Sequence, residues 1–309
     1  PVLKESLKIM SDKMIHRGPD DEGMLIDGNI GIGMRRLSII DVEKGHQPIS
    51  NENNDIHIVL NGEIYNYKEL RQDLIQQGHK FRTNSDVEVL VHLYEEYGYE
   101  CIAKLNGMFA FILYDQKNKK VWIARDRLGI KPLFYYYENN QLVVGSDLSS
   151  VNSIVKQEID KYSIILYLGH SYVPAPRTIY RNILKLMPGE QINIEDNTVK
   201  ISQYWDIDNY SEGSVERGEA ITLLKKALDE SIKLQTRSDV PVGLFLSGGV
   251  DSSAIAALTK KVRAGHQFHT FTVDFSDKGS NDSKYAEEIS KEINSIHHTI
   301  KVTESDQIN

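Results

Sequence analysis

A polar loop between an apolar run and a helix pattern is the strongest candidate for chemistry. The loop reads SGGVDSS (247–253), the run before it covers 242–246, and the helix pattern follows over 253–263. Two glycines let backbone N–H groups approach an oxyanion closely at a helix N-terminus, and the serine hydroxyls add donors. Asp251 would repel a phosphate unless a divalent cation lay between them. The loop therefore predicts a phosphate site that also uses Mg²⁺.

This loop differs from two common phosphate-binding patterns. The P-loop requires G-x-x-x-x-G-K-[ST], which places a lysine on the phosphates, and the dinucleotide fingerprint requires G-x-G-x-x-G. Neither fits residues 247–253. Their S-G-G-x-D-S order instead resembles the pyrophosphate loop of ATP pyrophosphatases, which split ATP between its α- and β-phosphates. The resemblance implies ATP as the nucleotide bound here.

Polar residues also recur in four stretches of the first 90 residues. These stretches are HRGPD (16–20), RRLSIID (35–41), NGEIYN (61–66) and NSDVEV (84–89). With the loop, they resemble the glutamine-dependent asparagine synthetases, two-domain class II glutamine amidotransferases, and segments 125–135 and 174–190 are similar to that family too. The resemblance implies ATP-dependent synthesis of asparagine from aspartate with glutamine as ammonia donor. The implied intermediate is β-aspartyl-AMP, and the implied products include AMP, pyrophosphate and glutamate.

A glutaminase must hold an amino acid by its charged ends and stabilise a tetrahedral oxyanion. Arg36 can bind the α-carboxylate with its bidentate guanidinium. Asp86, predicted as the first residue of a helix whose dipole keeps it ionised, can bind the α-ammonium, and Glu63 is a second acceptor. In the family, the side chain of Asn61 and the backbone N–H of Gly62 form the oxyanion hole. These five residues are the predicted glutamine site.

The resemblance also implies the membership of the nucleotide site and the partners. The implied ATP-binding residues are Leu246, Ser247, Gly248, Gly249, Asp251, Ser252 and Val273. In the family, Val273 lies against adenine, and Asp251 is expected to bind Mg²⁺ through the pyrophosphate. The expected small molecules are glutamine, aspartate and ATP, and the family suggests a homodimer.

The sequence departs from the family at both ends. The family uses an N-terminal cysteine as nucleophile, whereas residue 1 is a proline and the single cysteine, Cys101, lies where a buried hydrophobe is expected. We therefore expect this chain to hold glutamine without hydrolysing it. A later loop and the aspartate-binding residues of the family do not appear before Asn309. We expect only the N-terminal portion of a synthetase domain.

The elements change in rhythm near residue 205. Before it, short strands alternate with polar turns and two helices, and the strands over 109–146 predict an antiparallel meander. After it, strands and helices alternate, which indicates a parallel sheet. The prediction is an α+β domain over 1–207, with antiparallel sheets sandwiched by helices as in N-terminal-nucleophile folds. A partial α/β ATP-pyrophosphatase domain with a parallel sheet is predicted over 208–309.

The two early helices have predicted start signals. One begins at Asn66 with Glu69 as its capping-box partner, and the next begins at Ser85 with Glu88 in the same arrangement. Further along, adjacent charges at Arg125 and Asp126 predict an internal ion pair.

Composition excludes several classes of protein. A net charge of −8 among 309 residues argues against nucleic-acid binding as the main function. The sequence contains no apolar run of the roughly 20 residues that a membrane helix needs. A single cysteine rules out an internal disulfide framework and fits a reducing compartment, so we expect a cytoplasmic protein.

Two alternatives to asparagine synthesis stay open. Relatives with this architecture amidate other carboxylates or close β-lactam rings, and the residues that choose the acceptor would lie beyond Asn309. A non-enzymatic remnant would bind ATP or glutamine without turnover. An upstream Met-Cys-Gly start in the gene would favour the enzyme over the remnant.

Overall fold

The computed structural model describes residues 4–209, 213–263, 267–275 and 282–303. The chain divides into two compact units, Pro1–Ser211 and Glu212–Asn309. Each unit is described by itself. The assignment of a glutaminase domain to 1–207 and a pyrophosphatase domain to 208–309 stays a prediction.

Antiparallel strands and short helices build the first unit. In chain order they are α1 (Lys4–Asp12), β1 (Asp21–Asp27), β2 (Ile30–Arg36), β3 (Ile49–Ser50), β4 (Ile56–Ile64), α2 (Tyr67–Gln76), α3 (Glu88–Tyr97), a 3-10 helix (Gly98–Lys104), β5 (Gly107–Asp115), β6 (Lys120–Arg125), β7 (Phe134–Glu138), β8 (Gln141–Gly145), α4 (Leu148–Val155), α5 (Lys161–His170), β9 (Ile183–Lys185), β10 (Glu190–Glu195), β11 (Thr198–Gln203) and a second 3-10 helix (Ile207–Asn209).

These strands form three antiparallel sheets. The largest has the order β11-β10-β6-β5-β4-β3, while β1 pairs with β2, and β7 lies between β8 and β9. Helices α2 and α3 cover one face of the large sheet, helix α4 packs on β7 and β8, and helix α1 packs on α4 and on the sheet formed by β1 and β2. The predicted class of antiparallel sheets between helices is confirmed.

The large sheet is apolar on both faces, which explains the unbroken hydrophobic run of its central strand. On β4, Ile58 and Leu60 pack against α2 and α3, whereas Val59 packs against the two smaller sheets. The same alternation holds on β5, where Phe111 faces the helices and Tyr114 faces the sheets. A strand buried on both sides reads as a continuous apolar segment rather than as alternating polar and apolar residues.

The predicted meander over 109–146 is wrong at its centre. Strands β5 and β6 pair in the large sheet, but β7 and β8 pair in a different one. The turn between them is built around Asp126, whose buried carboxylate accepts hydrogen bonds from the backbone N–H groups of Phe109, Leu128, Ile130 and Lys131. These four bonds fix the exit of the chain from one sheet into the next.

The ion pair predicted between Arg125 and Asp126 is also wrong. The guanidinium of Arg125 donates to the backbone carbonyls of Gly129, Lys131 and Leu186. Both side chains therefore bond backbone groups of the turn, and the two opposite charges stabilise the loop rather than each other.

Three parallel strands and three helices are described in the second unit. They are α6 (Arg217–Gln235), β12 (Gly243–Phe245), α7 (Val250–Val262), β13 (His269–Phe275), α8 (Asp282–Ile293) and β14 (Ile296–Val302), and the sheet order is β12-β13-β14. Leu246, Ala256 and Phe268 lie in its small core. The predicted parallel α/β sheet is confirmed. Across the described parts of both units, no helix combines the length and the apolar character needed to cross a membrane.

Candidate functional site

A cavity of about 950 Å³ in the first unit brings together all five predicted glutamine-site residues. Arg36 ends β2, Asn61, Gly62 and Glu63 lie near the end of β4, and Asp86 precedes α3. The sequence separates these residues by up to 50 positions, and the sheet pairings bring them to one opening. The cavity continues between apolar side chains of the inner layers, including Ile32, Val59 and Leu142.

Asp86 is the most buried carboxylate of the cavity. Its side chain accepts a hydrogen bond from the backbone N–H of Ile64 at 2.8 Å, and the residue is 4% exposed. Burial raises the pKa of Asp86 to about 6, and the nearby negative charge of Glu63 acts in the same direction. The expectation that a helix dipole keeps this carboxylate ionised is therefore wrong in its cause, because desolvation outweighs the local backbone dipoles.

The helix after Asp86 begins later than predicted. Helix α3 starts at Glu88 rather than Ser85, and the carboxylate of Glu88 accepts hydrogen bonds from the backbone N–H groups of Arg82 and Thr83. The capping box predicted at Ser85 is therefore wrong. At α2, Asn66 is the N-cap residue but makes no capping bond, since its side chain bonds the backbone of Lys104 and Asn106.

Asn61 carries an unused donor. Its Nδ2 is buried and has no hydrogen-bond partner within the described structure, although Asn61 lines the cavity. The neighbouring Gly62 has a φ of +142°, and a Cβ there would lie 2.0 Å from the carbonyl oxygen of Met108. Only glycine lets β4 pass β5 this closely. A buried amide donor without a partner costs free energy in an empty site, which makes it a strong indication of a ligand.

Glu63 and Lys131 form an opposite-charge pair on the cavity wall. Burial raises the pKa of Glu63, and the positive charge of Lys131 partly offsets that rise. Burial likewise lowers the pKa of Lys131. Lys131 was not among the predicted site residues, because its position depends on the turn around Asp126, whose carboxylate accepts a hydrogen bond from the backbone N–H of Lys131 at 3.0 Å. The segment RDRLGIK (125–131) was the available signal.

Arg36 is buried, and part of its hydrogen-bonding capacity is used by backbone carbonyl groups. Its guanidinium donates to the carbonyls of Ile40 at 2.7 Å, Asp41 at 3.0 Å and Val42 at 3.3 Å. A guanidinium has five N–H donors, so two remain for a ligand. Its predicted role in binding a carboxylate stays a prediction.

Cys101 is not part of the cavity wall described above. It is fully buried, and burial raises the pKa of its thiol to about 12. A thiol with such a pKa is protonated at neutral pH and is a poor nucleophile. The expectation of an inert, buried cysteine is therefore confirmed.

The second unit places the polar loop at the start of α7. This helix begins at Val250 rather than at residue 253, so Asp251 and Ser252 lie in its first turn. Ser247 Oγ lies 3.0 Å from Ser252 Oγ, and the hydroxyls of Ser252 and Ser253 donate to the carbonyl of Gly249. These contacts hold the loop in an arc before the helix, whose first N–H groups have no intrahelical acceptor.

Gly248 is required by the conformation of this arc. Its φ is +78°, and a Cβ would lie 2.7 Å from the carbonyl oxygen of Asp282 and 2.8 Å from Cβ of Tyr285. Of the other predicted nucleotide-site residues, Leu246 is buried in the core and Val273 is 42% exposed on β13. The loop and the middle of β13 are thus both present as predicted elements, while their role in binding ATP stays a prediction.

Two protein-family models match separate parts of the chain. Residues 2–205 match the model of the glutamine amidotransferase domain, and residues 223–309 match the model of asparagine synthase. An asparagine synthetase [glutamine-hydrolyzing] 1 of Bacillus subtilis is 40% identical over 92% of this chain and 45% of its own length. Asparagine synthetase B of Escherichia coli is 35% identical over 97% of this chain and 51% of its own.

A third relative carries a different name. The amidase chyE of Penicillium rubens is 31% identical over 97% of this chain and 47% of its own length. The chain thus spans about half the length of the curated relatives it matches. Because the glutamine amidotransferase model covers residues 2–205, which is more than half of the chain, the chain belongs to the glutamine amidotransferase family.

Proposed function

We propose that the first unit holds glutamine in its cavity and that the second unit holds ATP, as parts of a glutamine-dependent asparagine synthetase. The observation that carries the proposal is the buried, unpartnered Nδ2 of Asn61 beside the carboxylates of Glu63 and Asp86. A free amide donor and two acidic groups complement the carbonyl oxygen and the ammonium group of glutamine.

Each cavity residue then has a defined task. Asp86 and Glu63 accept hydrogen bonds from the substrate ammonium, which places a positive charge beside the buried Asp86 and the half-buried Glu63. The two remaining N–H groups of Arg36 bind the α-carboxylate. Asn61 Nδ2 and the Gly62 N–H stabilise the oxyanion of the tetrahedral intermediate, where each donor is worth about 3 to 4 kcal/mol.

The loop of the second unit suits the β- and γ-phosphates of ATP. Its glycine-dependent arc leaves no room for a Cβ at Gly248 and opens at a helix N-terminus, where anions are favoured. Asp251 in the first turn is the residue that would hold Mg²⁺ through the pyrophosphate. When bound, Mg²⁺ would neutralise negative charge on the leaving pyrophosphate.

The proposed overall reaction joins the two units. Aspartate attacks the α-phosphate of ATP through its β-carboxylate, which gives β-aspartyl-AMP and pyrophosphate. Ammonia released from glutamine displaces AMP to give asparagine, and glutamate is the second product of hydrolysis. The names of the relatives support this reaction, while the intermediate follows from the expected chemistry of the loop.

Glutamine binding is the first test, because it does not depend on a nucleophile. Isothermal titration of the tag-free chain with L-glutamine is expected to show one site. L-Glutamate is expected to bind at least tenfold more weakly, because its side-chain carboxylate adds a negative charge to a cavity that already contains Glu63 and Asp86 and donates no N–H. Equal binding of both ligands, or no heat with L-glutamine, would contradict the proposal.

A variant pair localises this binding. Asn61→Leu replaces the amide by an apolar group of similar size and is expected to weaken glutamine binding by about tenfold. Asn118→Leu is the matched control, because Asn118 bonds only Asp115 in a surface turn far along β5. An equal loss of affinity in both variants would contradict the assignment of Asn61 as a donor to glutamine.

The alternative function is amidation of a carboxylic acid other than aspartate. The relative named an amidase indicates that this architecture is not restricted to proteins named asparagine synthetase. With the protein expressed from its own gene, exchange of labelled pyrophosphate into ATP would be measured against a panel of carboxylic acids. Exchange that depends on aspartate supports asparagine synthesis, and exchange that depends on another acid supports the alternative.

A further inference from the structure

Four ligand-type side chains from three segments meet on the helical side of the first unit. Glu52 lies in the turn between β3 and β4, His79 lies between α2 and α3, and His92 and Glu95 lie on α3. One atom from each residue lies within 4.8 Å of the corresponding atom of every other. The glutamine proposal uses none of these residues.

The nitrogen-to-oxygen separations in this cluster are close to the ligand-to-ligand spacing of a tetrahedral metal site, with Glu52 presenting a different oxygen to each histidine. His92 Nδ1 lies 3.3 Å from Glu52 Oε2 and 3.2 Å from Glu95 Oε2. His79 Nδ1 lies 3.5 Å from Glu52 Oε1 and 3.7 Å from Glu95 Oε2. A tetrahedral Zn²⁺ with ligand bonds of about 2.0 to 2.1 Å has ligand-to-ligand edges of about 3.3 to 3.4 Å.

The other ring nitrogens of both histidines face carboxylates. His79 Nε2 lies 3.0 Å from Glu96 Oε1, at hydrogen-bond distance, whereas His92 Nε2 lies 3.8 Å from Glu88 Oε1 and has no hydrogen-bond partner among the described residues. Metal-binding histidines commonly donate their second N–H to a carboxylate, which fixes the tautomer and the ring orientation. The contact with Glu96 orients the His79 ring in this way, and the Nδ1 atoms of both histidines lie near the same two carboxylates.

Among the described residues, no lysine or arginine forms an ion pair with Glu52 or Glu95. Among the described ion pairs, Glu52 and Glu95 pair only with His79 and His92. Glu95 also accepts from Asn51 Nδ2 at 2.8 Å, and Glu52 accepts from the backbone N–H of Lys80 at 2.9 Å. These neutral donors hold the two carboxylates in place, so in the metal-free protein the two histidines are the ion-pair partners that can balance their negative charge.

We propose that Glu52, His79, His92 and Glu95 form a site for a divalent transition-metal ion, with Zn²⁺ as the best fit to two imidazole nitrogens and two carboxylate oxygens. The competing occupant is a proton on His92, which would also satisfy the carboxylates. The two alternatives make different demands on the cluster. A metal ion needs ligand atoms from all four residues, whereas a proton on His92 needs neither His79 nor both glutamates.

A cation at this position would join the segment before α3 to the edge of the large sheet. His79 begins the stretch that leads to Asp86, while Glu52 belongs to the turn that leads into β4. Metal binding to the folded state stabilises that state by mass action. We therefore assign the site a structural role, in which the ion holds the segment that leads to Asp86 against the turn that leads into β4.

The test uses the tag-free chain after removal of metals by a chelator. Titration with Zn²⁺, followed by calorimetry and by elemental analysis of the dialysed protein, is expected to give one tightly held ion per chain. Co²⁺ is expected to give the strong visible absorption of a tetrahedral site, and Zn²⁺ is expected to raise the melting temperature. Absence of a stoichiometric ion would overturn the proposal.

Two conservative variants and one control assign the ion to these residues. Glu52→Gln and Glu95→Gln keep the side-chain shape, and each is expected to weaken Zn²⁺ binding at least tenfold. Glu43→Gln, at an exposed position, is expected to bind as the original chain does. Circular dichroism of the metal-free variants checks that they fold. Unchanged affinity in both conservative variants would place any bound ion elsewhere and contradict the assignment.

Discussion

The two candidate ligand sites are built from opposite materials. The cavity of the first unit uses buried side chains, with Asp86 and the amide of Asn61 held away from water. The loop of the second unit uses exposed backbone and hydroxyl groups, which bond one another around Gly249. One site stores unsatisfied polar groups in the folded protein, whereas the other satisfies its side chains internally and offers N–H groups at a helix start.

This difference has consequences for both stability and binding. A buried, ionised acid destabilises the empty fold, so removing its charge is expected to stabilise the protein while abolishing ligand binding. A loop that binds through backbone N–H groups buries no such destabilising charge. A substitution that distorts the loop is therefore expected to reduce stability and binding together. The variants below separate the two cases.

The largest effect is expected at Asp86. Asp86→Asn removes the charge that would hold the glutamine ammonium, so glutamine affinity is expected to fall about 100-fold. Isothermal titration measures this loss. Asp73→Asn on α2 is the control, because Asp73 is exposed and lies outside the cavity. A similar loss in both variants would contradict the assignment of Asp86.

The same variant tests the stability half of the comparison. The folded-state pKa of Asp86, about 6, lies above its ordinary value of 3.8, so the folded state binds the proton more tightly than the unfolded state. The free energy of unfolding therefore falls as pH rises from about 4 to 6 and stays lower above that range. At pH 7, Asp86→Asn is expected to raise it by about 1 to 3 kcal/mol, measured by urea denaturation. A destabilised variant would show that the charge is compensated in the fold.

The pH dependence of glutamine binding is the next largest effect. Protonation of Asp86 below a pH of about 6 removes an acceptor for the ammonium, and the raised pKa of Glu63 acts in the same direction. The dissociation constant is expected to rise up to tenfold for each pH unit below 6. Titrations at several pH values would show it. Affinity that is constant between pH 5 and 7 would mean that neither acid binds the ammonium.

In the loop, Gly248→Ala is expected to weaken both properties. Alanine disfavours the positive φ of this position, and its Cβ would clash with Asp282 and Tyr285. The second unit should therefore lose about 1 to 3 kcal/mol of stability. ATP affinity in the presence of Mg²⁺ is expected to fall about tenfold. Gly218→Ala, in the open first turn of α6, is the control and is expected to leave ATP affinity unchanged. Full ATP affinity in Gly248→Ala would argue against the loop.

The smallest effect is expected at Ser252. Ser252→Ala removes the contacts to Ser247 and to the carbonyl of Gly249, while the exposed backbone keeps its shape. ATP affinity is expected to fall only two- to fivefold, with stability changed by less than about 1 kcal/mol. Equilibrium binding of ATP measures the change. A loss as large as that in Gly248→Ala would mean that hydroxyls, rather than backbone, carry the binding.

The sequence predicted the ligand-type residues better than their surroundings. Asn61, Gly62 and Asp86 stand in motifs whose spacing is local, and the structure brings them to one cavity as expected. The cause of the Asp86 pKa was predicted wrongly, because burial depends on sheet packing that no local pattern encodes. Lys131 was missed for the same reason, since the buried carboxylate of Asp126 fixes its position from the turn.

The fold was predictable where elements are periodic and less so where the chain changes sheets. The parallel order of the second unit follows from alternating strands and helices, and the structure has β12, β13 and β14 in that order in one parallel sheet. The break between β6 and β7 was missed, because both strands are apolar and are joined by a polar turn. Such a pattern is common to a hairpin and to a crossover between sheets.

The central claim is that the cavity is arranged for glutamine before glutamine arrives. A crystal structure of the tag-free chain soaked with L-glutamine tests it most directly. The account predicts the ligand in the cavity, with its side-chain carbonyl within hydrogen-bond distance of Asn61 Nδ2 and its ammonium group on Asp86. Glutamine bound elsewhere, or bound in the cavity with Asn61 Nδ2 still unpartnered, would contradict the account.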